Sequence, residues 1–343
     1  MRTPDTLLEA IRQFSDTDAA RDYMVALRWP HGIACPRYGC GSAYVQWIAT
    51  RKLWRCKGCK RQFTVKVGTI FEDSPIGFDK WLPALWILTN TKNGTSSYEL
   101  ARDLDVTQRT AWFMLHRIRH AMQAGTFEKL SGSVEADETY VGGKAYSEDR
   151  NPDTGNLMPT GPQENKTIVM GIVERKGKIR AFVIEDTKRE TLHAKIKQNV
   201  ANDSTVYTDE WKAYRQLTNY SHFVINHGKE YVKGHIHTNN IENFWSLLKR
   251  TVKGTYICPR PWQLNRYVDA QAFRYNVRDL NDDGRFFLLA KGTDGKRLTY
   301  KTLTKTVSIN QLRTKALQKA AALQRVARAR QNVDSKEILY RQS

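Results

Sequence analysis

Apolar residues recur three and four apart along the first part of the chain. Leu7, Leu8, Ile11 and Phe14, then Tyr23, Met24 and Leu27, predict one or two short helices over residues 5–28. The run closes at Trp29-Pro30, because proline disfavours helix in the residue before it. Helical spacing returns at 78–125, where Trp81, Leu85 and Leu88 share one face. Within it, residues 95–122 read as two helices around a tight turn. Leu100 and Ala101 lie on the first, Asp103 to Val106 make the turn, and Thr107 is a natural N-cap for a second carrying Trp112, Leu115 and Ile118. From residue 131 the period changes to two. "GSVEADETYVGGK" is one strand, "NKTIVMGIVERKGKIRAFVIED" is two strands around an Arg-Lys-Gly-Lys turn, and "STVYTD" and "HFVINH" are two more. "TLHAKIKQNV", "HIHTNNIENFWSLLKR" and "YVDAQAFRYNVRDL" read as helices, and "KAYRQL" as a short one.

Three strands, a helix, a strand, a short helix, a strand and a helix are the element order of an RNase H-like core. The expected fold class is therefore an α/β catalytic core, a mixed sheet flanked by helices, preceded by a zinc ribbon and a helix-turn-helix. The expected divisions are N-terminal helices (1–30), zinc ribbon (31–72), helical DNA-binding segment (73–128), catalytic core (129–290) and basic tail (291–343). Residues 296–343 hold twelve Lys or Arg and two acids, so the tail is either a solvated extension or an arm for the DNA backbone.

The ribbon comes from the cysteines. Cys35 and Cys40 are separated by fifteen intervening residues from Cys56 and Cys59, with short strand-like stretches between and after. Four thiolates in two knuckles suit one tetrahedral zinc, and a four-thiolate site leaves no open position for water, so the zinc is structural. The first pair is wider than the usual two-residue spacing. Cys258 stands alone and carries no role.

Charge narrows the partner. The 343 residues carry 55 Lys and Arg against 35 Asp and Glu, a net +20. Neutralising phosphates releases counterions, so such a chain is expected to bind a polyanion, and DNA fits best. At the start of the second helix of the helix-turn-helix, Gln108, Arg109 and Thr110 are placed to read base edges. No apolar run approaches a membrane span, and the N-terminus carries charges inside its apolar stretch, so a cytoplasmic, nucleoid-associated protein of a bacterial cell is expected.

Three acids stand out by position. Asp137 lies in an otherwise apolar strand, with Ala136 and Glu138 on its other face. Asp209 ends a strand. Glu242 opens a helix whose apolar positions are Phe244, Leu247, Leu248 and Val252, and Glu242, Ser246 and Lys249 share the opposite, polar face. Gathered carboxylates repel one another, and a hard divalent cation relieves that repulsion; Mg²⁺ or Mn²⁺ suits them, and two such ions about 4 Å apart serve in-line displacement at phosphorus. Lys249 would meet a phosphate as a point charge, with Arg250 beside it. His235 and His237 have no third soft ligand near and are expected to line the site or contact DNA. Asn239 caps the helix or touches metal or phosphate. Tyr140, Gly142, Gly143 and Lys144 follow the first aspartate, where DNA would approach the backbone.

The blocks "DETYVGGK", "YTDEWKAY", "HIHTNNIENFWSLLKR" and "RYVDAQAFRYNVR", behind "CPRYGC" and "CKGC", resemble those of the ISXO2-like insertion-sequence transposases, over roughly residues 18–280. The resemblance implies a metal-dependent enzyme that nicks transposon ends and joins the 3′-hydroxyls to target DNA, working as a dimer or higher oligomer on paired ends. It puts Asp137, Asp209 and Glu242 in the catalytic places, with Lys249 following. Some relatives are described with asparagine as third ligand, which keeps Asn239 as an alternative. Two other functions stay open: an inactive or domesticated DNA-binding regulator, and an RNase H-like nuclease or resolvase that cuts without joining.

Overall fold

A computed structural model describes residues 2–123, 128–142, 166–225, 238–257 and 259–304. The chain divides into two compact units, Met1–Leu298 and Thr299–Ser343. Of the second, the described part is one short helix, α10 (Tyr300–Thr304).

The N-terminal helices form where the sequence supplies caps. Thr6 accepts from the Glu9 N–H to start α1 (Leu7–Phe14), and Asp16 accepts from Asp18 and Ala19 to start α2 (Thr17–Arg28). Next come three short antiparallel strands in the order β1 (Val45–Ile48), β2 (Leu53–Cys56), β3 (Gln62–Phe63). α3 (Phe78–Asn90) is buried along much of its length. Ser96 and Glu99 make a reciprocal capping box for α4 (Ser97–Asp103), and Thr107 caps α5 (Gln108–Met122) by accepting from the Thr110 N–H. Ala10, Phe14, Tyr23, Trp54, Phe63, Trp81, Leu85, Leu100 and Leu115 lie in one apolar core, and Phe286 and Leu289 of α9 (Asp282–Lys291) join it. The helices near the end of the first unit thus pack back on those at its start.

The second half is a five-stranded mixed sheet flanked by helices. Its strands are β4 (Ser133–Gly142), β5 (Lys166–Glu174), β6 (Ile179–Ile184), β7 (Thr205–Asp209) and β8 (Ser221–Ile225), in the spatial order β6-β5-β4-β7-β8. β4–β5 and β5–β6 pair antiparallel, β4–β7 and β7–β8 parallel, so β5 alone runs against the rest. Leu192 and Ile196 of α6 (Arg189–Asn199) cover one face, over Val134, Ala136, Met170, Ile172 and Val206. α7 (Asn239–Thr251) and α8 (Pro261–Asn276) cover the other, where Ile241, Phe244, Trp245, Leu248, Leu264 and Val268 meet Val169, Val173, Ile179 and Ala181. Each buried Val, Leu, Ile, Phe or Met side chain there contributes about 1.5–3 kcal/mol on leaving water. The "KAYRQL" stretch gives a single 3-10 turn, Lys212–Tyr214, instead of a helix. Among the described residues no helix is long and apolar enough to cross a membrane.

Candidate functional site

Alternation along β4 sorts its acids between two environments. Glu135 and Asp137 face α7, while Glu138 faces the other side with Val134 and Ala136. The parallel register pairs Ser133, Val134 and Glu135 with Thr205, Val206 and Tyr207. Asp209, the last residue of β7, lies two residues beyond Tyr207, the partner of Glu135, so alternation puts it on the face of Asp137. Glu242 sits in the first turn of α7, over that face.

α7 approaches the sheet closely because Asp137 is paired with Gly171 on β5. A Cβ at Gly171 would stand 2.7 Å from the Trp245 ring and 3.0 Å from Ile241 Cδ1. The indole therefore lies on bare backbone, and its Nε1–H donates to Asp137 Oδ2 at 2.8 Å. Thr238 donates its hydroxyl to Glu242 Oε1 at 3.0 Å. The Trp211 backbone N–H donates to Asp209 Oδ1 at 3.0 Å.

The acids feel one another. Burial pushes the Asp137 carboxyl up to about 6; the Trp245 indole pulls it back, and the charges of Asp209 and Glu242 push it further. Glu138 is raised to about 7, first by burial. The Tyr214 hydroxyl, which donates to Glu138 Oε2 at 2.5 Å, opposes the rise, and Asp137 and Asp209 add to it. An acid that burial and like charges hold up is one a cation relieves, and three hard carboxylate oxygen donors suit Mg²⁺ or Mn²⁺.

The cysteines form a tighter cluster. Cys35, Cys40, Cys56 and Cys59 bring their sulfurs within 4.8 Å of one another, with Cys40–Cys56 at 3.6 Å and Cys35–Cys59 at 3.8 Å. A tetrahedral zinc with bonds of about 2.3 Å needs sulfurs about 3.8 Å apart, so the four fit a structural zinc. The Cys59 N–H, which donates to Cys56 Sγ at 3.4 Å, brings the Cys56 thiol down to about 6, while burial pushes Cys35 up to about 12. The wide first spacing is absorbed by Gly39 and Gly41, both at positive φ. Among the described residues this is the one cluster of three or more candidate ligands gathered so closely; the three acids are not.

The other expected site residues are scattered. Lys249 and Arg250 are exposed in the last turn of α7, and Asn239 is exposed in its first. Arg109 is exposed at the start of α5, Thr110 lies against the Thr107 hydroxyl at 2.8 Å, and Gln108 donates to Ser97 Oγ at 2.8 Å, tying α5 to α4. Lys144, His235, His237, Gly143 and Cys258 lie outside the described residues, as does the tail beyond 304. Sequence reasoning passed over Trp245, Tyr214, Gly171 and Glu135. For Glu135 a signal existed, since two residues before Asp137 on a strand means the same face.

A zinc-ribbon protein with an acid-lined α/β domain is the class these features define. Residues 129–276 match the ISXO2-like transposase domain, and residues 15–62 match a transposase zinc-ribbon domain. An uncharacterized protein in the transposable element ISH50 of Halobacterium salinarum is 28% identical over 258 residues, 70% of this chain and 84% of that protein. An uncharacterized transposase-like protein of Haemophilus influenzae is 38% identical over 107 residues, 31% of this chain and 86% of that protein. The chain belongs to the ISXO2-like transposase family.

Proposed function

We propose that this chain is the transposase of an insertion sequence, cutting at the element's ends and joining the freed 3′-hydroxyls to target DNA. What carries the reading is that Asp209, at the end of β7, and Glu242, in the first turn of α7, both bear on the Asp137 carboxyl with their charges. The strand order, with its second strand alone reversed, supports an RNase H-like core. The net charge of +20 supports DNA as the partner. Exposed Arg109, at the start of α5, suits a helix-turn-helix that reads it.

Asp137, Asp209 and Glu242 would hold the divalent ions. The chemistry they would supply there is activation of an attacking water or 3′-hydroxyl and stabilisation of the leaving oxygen of an in-line displacement. The chain's own residues prepare that chemistry. Trp245 fixes one oxygen of Asp137, and Thr238 holds Glu242 by one oxygen. Lys249 and Arg250, about two turns along the same helix, offer positive charge to flanking phosphates. Work on paired ends implies a dimer or larger assembly.

The test is a strand-transfer assay with end-bearing duplexes and Mg²⁺, run beside Asp137→Asn. Joined products that the variant loses, with DNA binding kept, are expected. Binding without cleavage would replace this reading with that of a regulator, and cleavage without joining with that of a nuclease or resolvase.

A further inference from the structure

We propose that Glu135 is a positioning residue for the acidic site: it fastens the N-terminus of α7, and with it Glu242, to the strand that carries Asp137. The proposal rests on reading that site as a divalent-ion centre.

Glu135 is fully buried. Both its oxygens are taken. Oε2 accepts the backbone N–H groups of Asn240 at 3.0 Å and Ile241 at 3.2 Å, and Oε1 accepts the Asn240 side-chain amide at 2.8 Å. Those two backbone groups belong to the first turn of α7, whose N–H donors have no partner within the helix. A helix ordinarily satisfies them from its own N-cap. Here Thr238 occupies that position and makes no side-chain cap. Its hydroxyl donates to Glu242 instead. The carboxylate from β4 does the capping from outside, which leaves the threonine to hold the catalytic candidate. A full negative charge at a helix N-terminus also meets the positive end of the macrodipole.

Through Arg175, Glu135 is also linked to the strand that bears Asp209. Arg175 donates from Nε to Glu135 Oε1 at 2.9 Å, and its guanidinium stacks 3.9 Å from the ring centroid of Tyr207, two residues before Asp209 on β7. Glu135 thus ties α7 to β4 directly and, through Arg175, is linked to β7 at Tyr207. An apolar residue would sit in this interface at a lower electrostatic cost. What the carboxylate adds is direction: it fixes where along β4 the helix begins. With both oxygens committed, Glu135 is a support for the ligands and not one of them. Residues that orient metal ligands in this way typically change affinity tenfold or more when altered.

The experiment is a Mn²⁺ titration, read by the electron paramagnetic resonance of free Mn²⁺, on the full zinc-loaded chain well below its unfolding temperature. Glu135→Gln, which keeps one acceptor and removes the charge, is expected to bind Mn²⁺ about tenfold more weakly or worse. Its zinc content and its affinity for a random-sequence duplex should stay at the wild-type level. A fold staple with no bearing on the site would leave Mn²⁺ affinity alone, so wild-type affinity in Glu135→Gln overturns the proposal. Asp137→Asn runs in parallel. If wild type binds Mn²⁺ no better than Asp137→Asn, the metal reading itself falls, and this proposal with it. Should Glu135→Gln fail to fold, Asn240→Ala removes the single side-chain amide bond to Oε1 yet leaves the backbone cap and Arg175; a measurable loss of Mn²⁺ affinity supports the proposal and wild-type affinity overturns it.

Discussion

Replacing Asp137 by asparagine should stabilise the metal-free protein, and the gain should grow with pH. Asp137 is half-buried, and burial pushes its carboxyl up to about 6, against 3.8 for the ordinary side chain. A folded-state pKa above the unfolded value means that the native state holds its proton more tightly, so ionisation penalises the fold. Below about pH 3.8 both states are protonated and there is no penalty. Through the window from there to about 6 the unfolded chain ionises first and native stability falls; above it the full penalty persists. Two pKa units and a little more, at 1.36 kcal/mol each, make about 3 kcal/mol. Asparagine keeps an acceptor for the Trp245 indole, 2.8 Å away in the wild type, and carries no charge. The expected gain is about 1.5 kcal/mol near pH 5, rising to about 3 kcal/mol near pH 8. Urea midpoints of the two proteins, measured at both pH values in buffer freed of divalent ions with the zinc retained, give the difference directly. Added Mn²⁺ should then stabilise wild type and not the variant. A variant that is less stable near pH 8, or one whose difference from wild type does not change with pH, would refute the placement of a partly buried Asp137 beside the repelling charges of Asp209 and Glu242.

Gly171→Ala puts a methyl 2.7 Å from the Trp245 ring, so it should cost about 1–3 kcal/mol and weaken Mn²⁺ binding by lifting α7; unchanged stability in the same urea series would contradict the close approach. Cys40→Ser should abolish the single bound zinc, as read by atomic absorption on protein purified without chelator. Retention of a full equivalent would show that the four thiols are not one site.

The pattern of the chain made much of this architecture readable. Period two marked β4 to β8, and cap chemistry at Ser96, Glu99 and Thr107 marked α4 and α5, because those signals are local. The cysteine quartet was legible for the same reason, as a motif complete within 25 residues of sequence, Cys35 to Cys59. What stayed hidden depends on partners far apart in the chain. Trp245 reads as one more apolar helix residue until Asp137, 108 positions away, is found at its indole. Glu135 reads as a solvated acid until the N-terminus of α7 closes on it, 105 positions later. Gly171 looks like an ordinary weak point in a strand, and its reason is the ring that lies on it. α9, which the sequence sets after the sheet, buries Phe286 and Leu289 among the N-terminal helices, a choice that no local periodicity encodes.

The central claim is that Asp137, Asp209 and Glu242 grip divalent metal beside a phosphodiester. Crystals of the chain with an end-sequence duplex, soaked in Mn²⁺ and recorded at the manganese absorption edge, test it most directly. Anomalous density bracketed by those three carboxylates is the expected result. Density seated on other residues, in a protein that still cuts DNA with Mn²⁺, would contradict it.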